Sequence, residues 1–410
     1  MSKINTIDLF AGCGGLTDGF AQTGLYNTVA AVEWEKAPCA NLRERLKSKW
    51  GYDDSASRVI RFDIQRTEEL FNGWSDDDEY GSSVGLDNLV NKVGKIDVII
   101  GGPPCQAYSI AGRVSDANGM RDDYRNYLFE SYLKVVSKYK PKLFVFENVP
   151  GILSAKPGNR KIIDVIQEAF EKVGYHVLTD LKNAIMDFSD YGVPQNRKRI
   201  IIVGLRKEYW GENLCESILQ NFYNNILSKY KVEKKATVKE AIGDLPKLCP
   251  LKKEIVYEGR KTIYNLPEPF VPNHVARWQS ERDRDIFKIL TTDIESGRNQ
   301  YISTAALKEL YTQKTGHVSN VHKYYVLRWD EPSNLIPAHL YKDGLRHIHP
   351  DSKQVRSITV REAARLQSFD DDYIFKGSNQ EVYKMIGNAV PPLFAKKLAM
   401  AIYDFLKGKK

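Results

Sequence analysis

Through roughly the first two hundred residues, short apolar runs alternate with amphipathic stretches, and that pattern constrains the chain to a mostly parallel sheet with helices on both faces. Ile4 to Phe10, Thr28 to Trp34, Lys95 to Ile100 and Lys142 to Glu147 read as strands, and another ends near Arg61-Phe-Asp-Ile64. Helical patterns run from Leu16 to Thr23, closed by Gly24, and over Tyr124 to Ser137 and Lys161 to Val173. Tyr175 to Ala184 and Arg199 to Leu205 read as two more strands, paired as an antiparallel hairpin at the sheet edge. The fold class is therefore α/β.

The alternation fades from Arg206, where lysine clusters such as Lys229 to Lys239 enter and Asn, Tyr and Pro interrupt every pattern. With 410 residues, too many for most single cores, the chain divides into a domain over 1–205, a smaller irregular domain over 206–355, and a returning segment over 356–410. Thr359-Val-Arg-Glu362 has capping-box spacing ahead of a helix ending near Ser368. A last helix begins at Pro391 and Pro392, and its apolar Phe394, Leu398, Ile402 and Phe405 share one face that must pack back on the first domain. Asp76 to Glu79 reads as a solvated acidic loop.

Sixty basic against fifty-two acidic residues give a formal charge of +8, which permits a polyanionic partner without demanding one. The five cysteines are widely spaced and none pairs at zinc-ligand spacing, so neither a disulfide scaffold nor a zinc site is expected, and a reducing, cytoplasmic setting is. No apolar run reaches the roughly 20 residues of a membrane span, and no membrane partner is expected.

Four segments carry chemistry. Asp8-Leu-Phe-Ala-Gly-Cys-Gly-Gly-Leu16 takes a strand through a glycine-rich turn into a helix, where backbone amides meet a ligand closely. Glu33 closes the next strand, placed to bond ribose hydroxyls. Trp34 and Asp63 offer an aromatic face and a carboxylate suited to adenine. This logic serves dinucleotide and adenosyl cofactors alike, and any one of these residues alone is as well explained by packing or a tight turn. Gly101-Gly-Pro-Pro-Cys-Gln-Ala-Tyr-Ser109 holds Cys105 on a rigid turn at the carboxyl end of a strand, among polar residues that suit a reactive thiolate. Phe146-Glu-Asn-Val149 puts Glu147 at the end of an apolar strand on the same sheet edge, so a nucleophile and an acid converge. In Gln195-Asn-Arg-Lys-Arg199, strand periodicity puts Arg197 and Arg199 on one face, fit for a phosphate or a carbonyl oxygen.

Taken in order, these segments resemble the motif set of the C5-cytosine DNA methyltransferases of bacterial restriction–modification type. Arg356-Ser-Ile-Thr-Val-Arg-Glu-Ala-Ala-Arg-Leu-Gln-Ser-Phe369 and Ile386-Gly-Asn-Ala-Val-Pro-Pro392 are similar to the family's last two motifs, and the resemblance covers residues 4–205 and 326–410. It implies a Rossmann-like methyltransferase fold and S-adenosylmethionine as cofactor, with no metal. The cofactor site would be lined by Phe10, Gly12, Gly14, Gly15 and Leu16 from the turn and by Glu33 and Trp34 from the second strand. Asp63, Ile64, Pro104, Asn388 and Val390 would complete it. It also implies that Cys105 attacks carbon 6 of a cytosine flipped out of duplex DNA, with Glu147 steadying ring nitrogen 3 and Arg199 and Arg197 holding the base carbonyl and orienting the site. Residues 110–125, with Arg113, Arg121 and Arg125, resemble the family's mobile loop. The segment 206–325 would recognise the target sequence in double-stranded DNA. A monomer is expected, and the resemblance admits a cognate restriction endonuclease acting on the same site. His339, His347 and His349 would hold no metal. An RNA cytosine methyltransferase of the same family is the nearest alternative. A nucleotide-dependent oxidoreductase and a catalytically dead DNA-binding protein leave Cys105 and Glu147 unexplained.

Overall fold

A computed structural model of the chain describes residues 2–104, 128–156, 160–318 and 324–409. The chain forms two compact units: residues 1–192, 197–233 and 389–410 make the first, and 193–196 with 234–388 make the second. These divisions fall after Glu233 and Asn388, where sequence reasoning drew its lines after 205 and 355.

Among the described residues of the first unit, eight strands form one sheet. They are β1 (Ile4–Leu9), β2 (Tyr26–Glu33), β3 (Val59–Arg61), β6 (Val98–Gly101), β7 (Leu143–Asn148), β8 (Tyr175–His176), β9 (Ile185–Asp187) and β10 (Lys198–Arg206); the intervening β4 (Trp74–Asp77) and β5 (Gly81–Ser83) pair separately. The order is β3-β2-β1-β6-β7-β10-β8, with β9 also on β10. The pairs among β3, β2, β1, β6 and β7 are parallel, whereas β10 runs antiparallel to β7, β8 and β9. The parallel strands are nearly continuous buried apolar runs, as both-face coverage requires. The strand expected over Tyr175 to Ala184 is shorter: only Tyr175 and His176 pair, and Leu181–Ala184 coils into a 3₁₀ turn capped by Asp180.

Register sets the carboxyl edge of this sheet. Leu9 is opposite both Val32 and Gly101, Gly101 is opposite Phe146, and Glu33 is opposite Arg61. Phe10, Glu33, Gly102 and Glu147 each follow this row directly. The chain turns away in opposite directions from β1 towards β2 and β6, which is where open α/β sheets leave a crevice for ligands.

The last helix, Pro392–Lys407, buries Phe394, Leu398, Ile402 and Phe405 and packs on the helix Gly15–Ala21. The contact is close because two positions lack side chains: a Cβ at Gly15 would run into the Val390 carbonyl oxygen, and one at Gly19 into that of Pro392. Residues 206–233, read from sequence as part of the second domain, cover this unit instead. Tyr223 donates to the Ile201 carbonyl at 2.6 Å, and the Trp210 ring stacks on Phe405 with centroids 4.5 Å apart. The acidic run at Asp76 is not a free loop. It closes the β4–β5 hairpin, where Asp77 accepts from Arg66 at 2.6 Å and Glu79 from Arg61 at 3.0 Å.

The second unit is more regular than its sequence suggested. Helices Glu281–Glu295 and Thr304–Thr315 start at Ser280 and Ser303, whose hydroxyls accept the amides of Asp283 and Ala306. They share a core with Tyr324 and Val326. A two-stranded ribbon joins β11 (Pro250–Tyr257) to β12 (Arg260–Tyr264). The expected capping box is present: Thr359 accepts the Glu362 amide, Glu362 accepts the Thr359 amide, and the helix runs Val360–Leu366. Glu362 also receives Arg356 bidentately at 2.6 and 2.7 Å, so the charges are buried as a satisfied pair.

Candidate active site

The site begins at the end of β7. Glu147 Oε1 meets Arg199 Nε at 3.0 Å, both side chains being largely buried. The antiparallel register of β10 makes this contact, because Ile201 sits opposite Glu147 and Arg199 lies two residues before it. Burial pushes the Arg199 guanidinium down from its usual range, and Glu147 opposes that shift; the group stays charged because an arginine is so basic. Arg197 is only 2% exposed, and its basicity is lowered by burial first and then by Arg199.

Two neighbours escaped sequence reasoning. Gly102 leaves room for the acid, since a Cβ there would lie 2.6 Å from Glu147 Oε2. Asn148 Nδ2 donates to the Pro103 carbonyl at 3.2 Å, tying the start of the proline turn to β7. The paired motif order was the available signal for both. Pro104 follows, exposed. Cys105 and the segment 106–127, with Arg113, Arg121 and Arg125, lie outside the described residues.

The glycine-rich turn has its own geometry. Phe10 and Gly12 take left-handed backbone with φ of 59° and 56°, and Gly14 does so with φ of 85°. A Cβ at Gly12 would meet nothing within 4 Å, so this face of the turn is open, whereas one at Gly14 would overlap Leu42. Gly14 and Gly15 thus make room for protein packing and Gly12 leaves space outside it. Leu16 and Ile64 are buried. Glu33 Oε2 accepts the Gly12 amide, and Oε1 accepts those of Trp34 and Glu35, each at 2.9 Å. Its carboxyl is nevertheless pushed up, chiefly by burial. Trp34 presents its ring at 50% exposure. Asp63 accepts the Gln65 amide at 3.0 Å through Oδ1.

Asp8 lies beneath the turn at 1% exposure. Its Oδ2 accepts the Thr17 hydroxyl at 2.5 Å, while its Oδ1 is buried with no partner among the described residues. Burial raises its pKa to about 7 against the Thr17 hydrogen bonds, with Glu33 adding a smaller push. Two buried carboxyls, an open turn and an uncovered indole fit a ligand that carries positive charge and an aromatic base.

In the second unit Gln195 is fully buried, donating to Gln367 Oε1 at 2.5 Å and to the Leu366 carbonyl at 3.2 Å while accepting the Ile336 amide at 2.9 Å. This polar knot joins the segment before Arg197 to the helix Val360–Leu366. Asn388 ends the helix Asn379–Asn388, exposed, and Val390 is buried in the first unit. His347 accounts for the Leu335 carbonyl at 3.1 Å and His349 accepts the Asp351 amide at 3.2 Å. Burial first lowers both, to about 4 and about 3. No metal-holding group of His, Cys, Asp and Glu occurs among the described residues. No helix among them is long and apolar enough to cross a membrane.

A mostly parallel sheet with this order, a glycine-rich turn after β1 and an acid at the carboxyl end of β7 define a Rossmann-like methyltransferase fold. A prophage-encoded DNA modification methyltransferase structure from E. coli matches it with a TM-score of 0.64 at 22% identity, covering 99% of this chain and 100% of that one. The model of the C-5 cytosine-specific DNA methylase family matches residues 4–404, and the chain belongs to that family. It is 34% identical to the type II methyltransferase M.Bpa9945I of Bacillus paralicheniformis, over 98% of this chain and 99% of that protein. It is 32% identical to M.DdeI of Desulfomicrobium norvegicum, over 97% of this chain and 88% of that one.

Proposed function

We propose that the protein transfers a methyl group from S-adenosylmethionine to carbon 5 of a cytosine flipped out of a specific site in duplex DNA, through a transient bond from Cys105. The Glu147–Arg199 pair at the sheet's carboxyl edge carries this reading. Cys105, three residues beyond Gly102, adds as a thiolate to carbon 6 of the base. Glu147 hydrogen-bonds or protonates ring nitrogen 3, which offsets charge developing in the ring. Arg199 orients that carboxyl and, with Arg197, meets the base carbonyl. Loss of the carbon 5 proton to water or hydroxide, with departure of the thiolate, restores the ring. The target atom is unreachable in a stacked duplex, so the base must leave the helix.

S-adenosylmethionine, when bound, supplies an electrophilic methyl on a sulfonium. Gly12, Glu33, Trp34 and Asp63 would hold it, with Phe10, Leu16, Ile64 and Pro104 beside them and Asn388 and Val390 on the returning segment. Gly14 and Gly15 shape the turn. Glu33 Oε2 keeps a lone pair for a ribose hydroxyl, and Trp34 offers a ring face to adenine. Residues 234–325, the part of that segment in the second unit, would carry target recognition, and a restriction endonuclease of matching specificity is the expected genetic partner of a monomeric enzyme.

The test uses the full chain, cofactor and a duplex containing 5-fluorocytosine. Wild type is expected to become covalently linked to it and Cys105→Ser to bind cofactor without linking. Glu147→Gln should slow labelling of ordinary duplex by about 10²–10⁴. An active preparation that never links to the fluorinated duplex overturns the covalent mechanism, and label entering transfer RNA in place of DNA overturns the substrate.

A further inference from the structure

Arg284 sits in the first turns of the helix Glu281–Glu295 in the second unit. It is half-buried, and its Nε is sealed from solvent without an acceptor. Its side chain makes no hydrogen bond or ion pair among the described residues. An arginine presents five donors and remains charged; the sealed Nε is left unmet, and the outer nitrogens, which no group among the described residues accepts from, stay open for an acceptor from outside the chain. Arg277 of the same unit also has a sealed Nε without an acceptor, but its outer nitrogens donate to the Leu340 and Tyr341 carbonyls, and the fully buried Arg356 and Arg361 are bonded by Glu362 and Gln354 and by the carbonyls of Pro272 and Tyr373.

Arg284 lines a pocket of about 340 Å³ together with Lys288 and Lys353, and with Glu281 and Asp285 as the opposing charges. Three cations against two carboxylates leave the pocket positive. Lys288 donates to the Ser352 carbonyl at 3.0 Å, which fixes its ammonium in place. Pro250, the first residue of β11, forms part of the wall, and the ribbon continues from it with exposed Lys252, Lys253, Arg260 and Lys261 against Glu254 and Glu258, Lys261 being paired with Glu254 at 3.7 Å. The cavity thus adjoins a basic two-stranded ribbon. Its ligand should be anionic, with oxygens that match a guanidinium fork.

We propose that Arg284 and its pocket bind a phosphodiester of duplex DNA, anchoring the second unit on the backbone without reading sequence. This rests on the DNA substrate assigned above. Phosphate contacts release counterions, so each one adds close to one unit to the slope of log affinity against log salt.

The experiment measures binding of a fluorescent duplex to the full chain over a potassium chloride series. Arg284→Gln should lower the slope by about one and weaken cognate and scrambled duplexes by the same factor. Arg284→Lys should keep the slope, and Lys314→Gln, on a different helix of the same unit, should match wild type. The melting temperature of Arg284→Gln without DNA should equal or exceed that of wild type, because nothing in the free protein holds the guanidinium. An unchanged slope in Arg284→Gln, an equal change in Lys314→Gln, or a slope change that comes with lower thermal stability overturns the proposal while leaving the substrate reading intact. Inorganic phosphate that stabilises wild type but not Arg284→Gln, with the duplex slope unaltered, assigns the pocket to a free anion and likewise overturns it. A wild-type chain that binds no duplex overturns the substrate reading and this proposal together.

Discussion

At Asp8 a carboxyl is taken out of water with Thr17 alone among the described residues to hydrogen-bond it. In the unfolded chain it ionises near its ordinary value of 3.8, whereas in the folded chain it holds its proton to about 7. Between those values the native state binds more protons, so stability falls as pH rises through this window and levels off above it. The effect is on the order of 4 kcal/mol at most. Asp8→Asn should therefore raise the melting temperature of the free enzyme, most at pH 8 and hardly at all near pH 4. A gain that is independent of pH, followed by calorimetry, counts against the buried carboxyl as its source. The same substitution should weaken binding of a cationic cofactor. Glu147 was legible because an acid ending an apolar strand stands out locally. Its pairing with Arg199 was not, since β10 could have been set against β7 in another register. The Gly12–Glu33 hydrogen bond was equally hidden, as it joins the turn after β1 to the end of β2.

Between elements, the helix Gly15–Ala21 lies close against the last helix. Replacing a helical glycine by alanine ordinarily stabilises by about 1 kcal/mol. At Gly19 the new Cβ would meet the Pro392 carbonyl and the Ala395 Cβ, and overpacking of this kind costs about 1–3 kcal/mol. Gly19→Ala should lower the denaturation midpoint in urea; a midpoint at or above wild type would show that the helices slide apart freely. The last helix was readable from its proline start and its apolar stripe, and the helix after Thr359 from its capping box, because such signals lie within one or two turns. Helices Glu281–Glu295 and Thr304–Thr315 were missed although Ser280 and Ser303 cap them. The charged run Arg282-Asp-Arg-Asp285 obscured the apolar period of the first. The β8 strand was overestimated because an apolar run does not tell a paired strand from a 3₁₀ turn.

For the whole molecule, a cofactor seated in the first unit should stabilise by mass action, about 2.7 kcal/mol at one hundred times its dissociation constant. S-adenosylmethionine is thus expected to raise the unfolding temperature of wild type, and Trp34→Ala to lose most of that rise at the same concentration. An undiminished rise in Trp34→Ala would place the adenine elsewhere. The chain's own periodicity determined an α/β fold with a parallel core, and the ordered motifs determined its family, since both are written in residues close along the chain. Tertiary structure decided which glycines face protein and which face open space, that Arg199 pairs with Glu147, that residues 206–233 cover the first unit, and that Arg284 lines a pocket with no protein acceptor. Those outcomes depend on register and packing between residues far apart in sequence, and neither propensity nor spacing encodes which distant groups will meet.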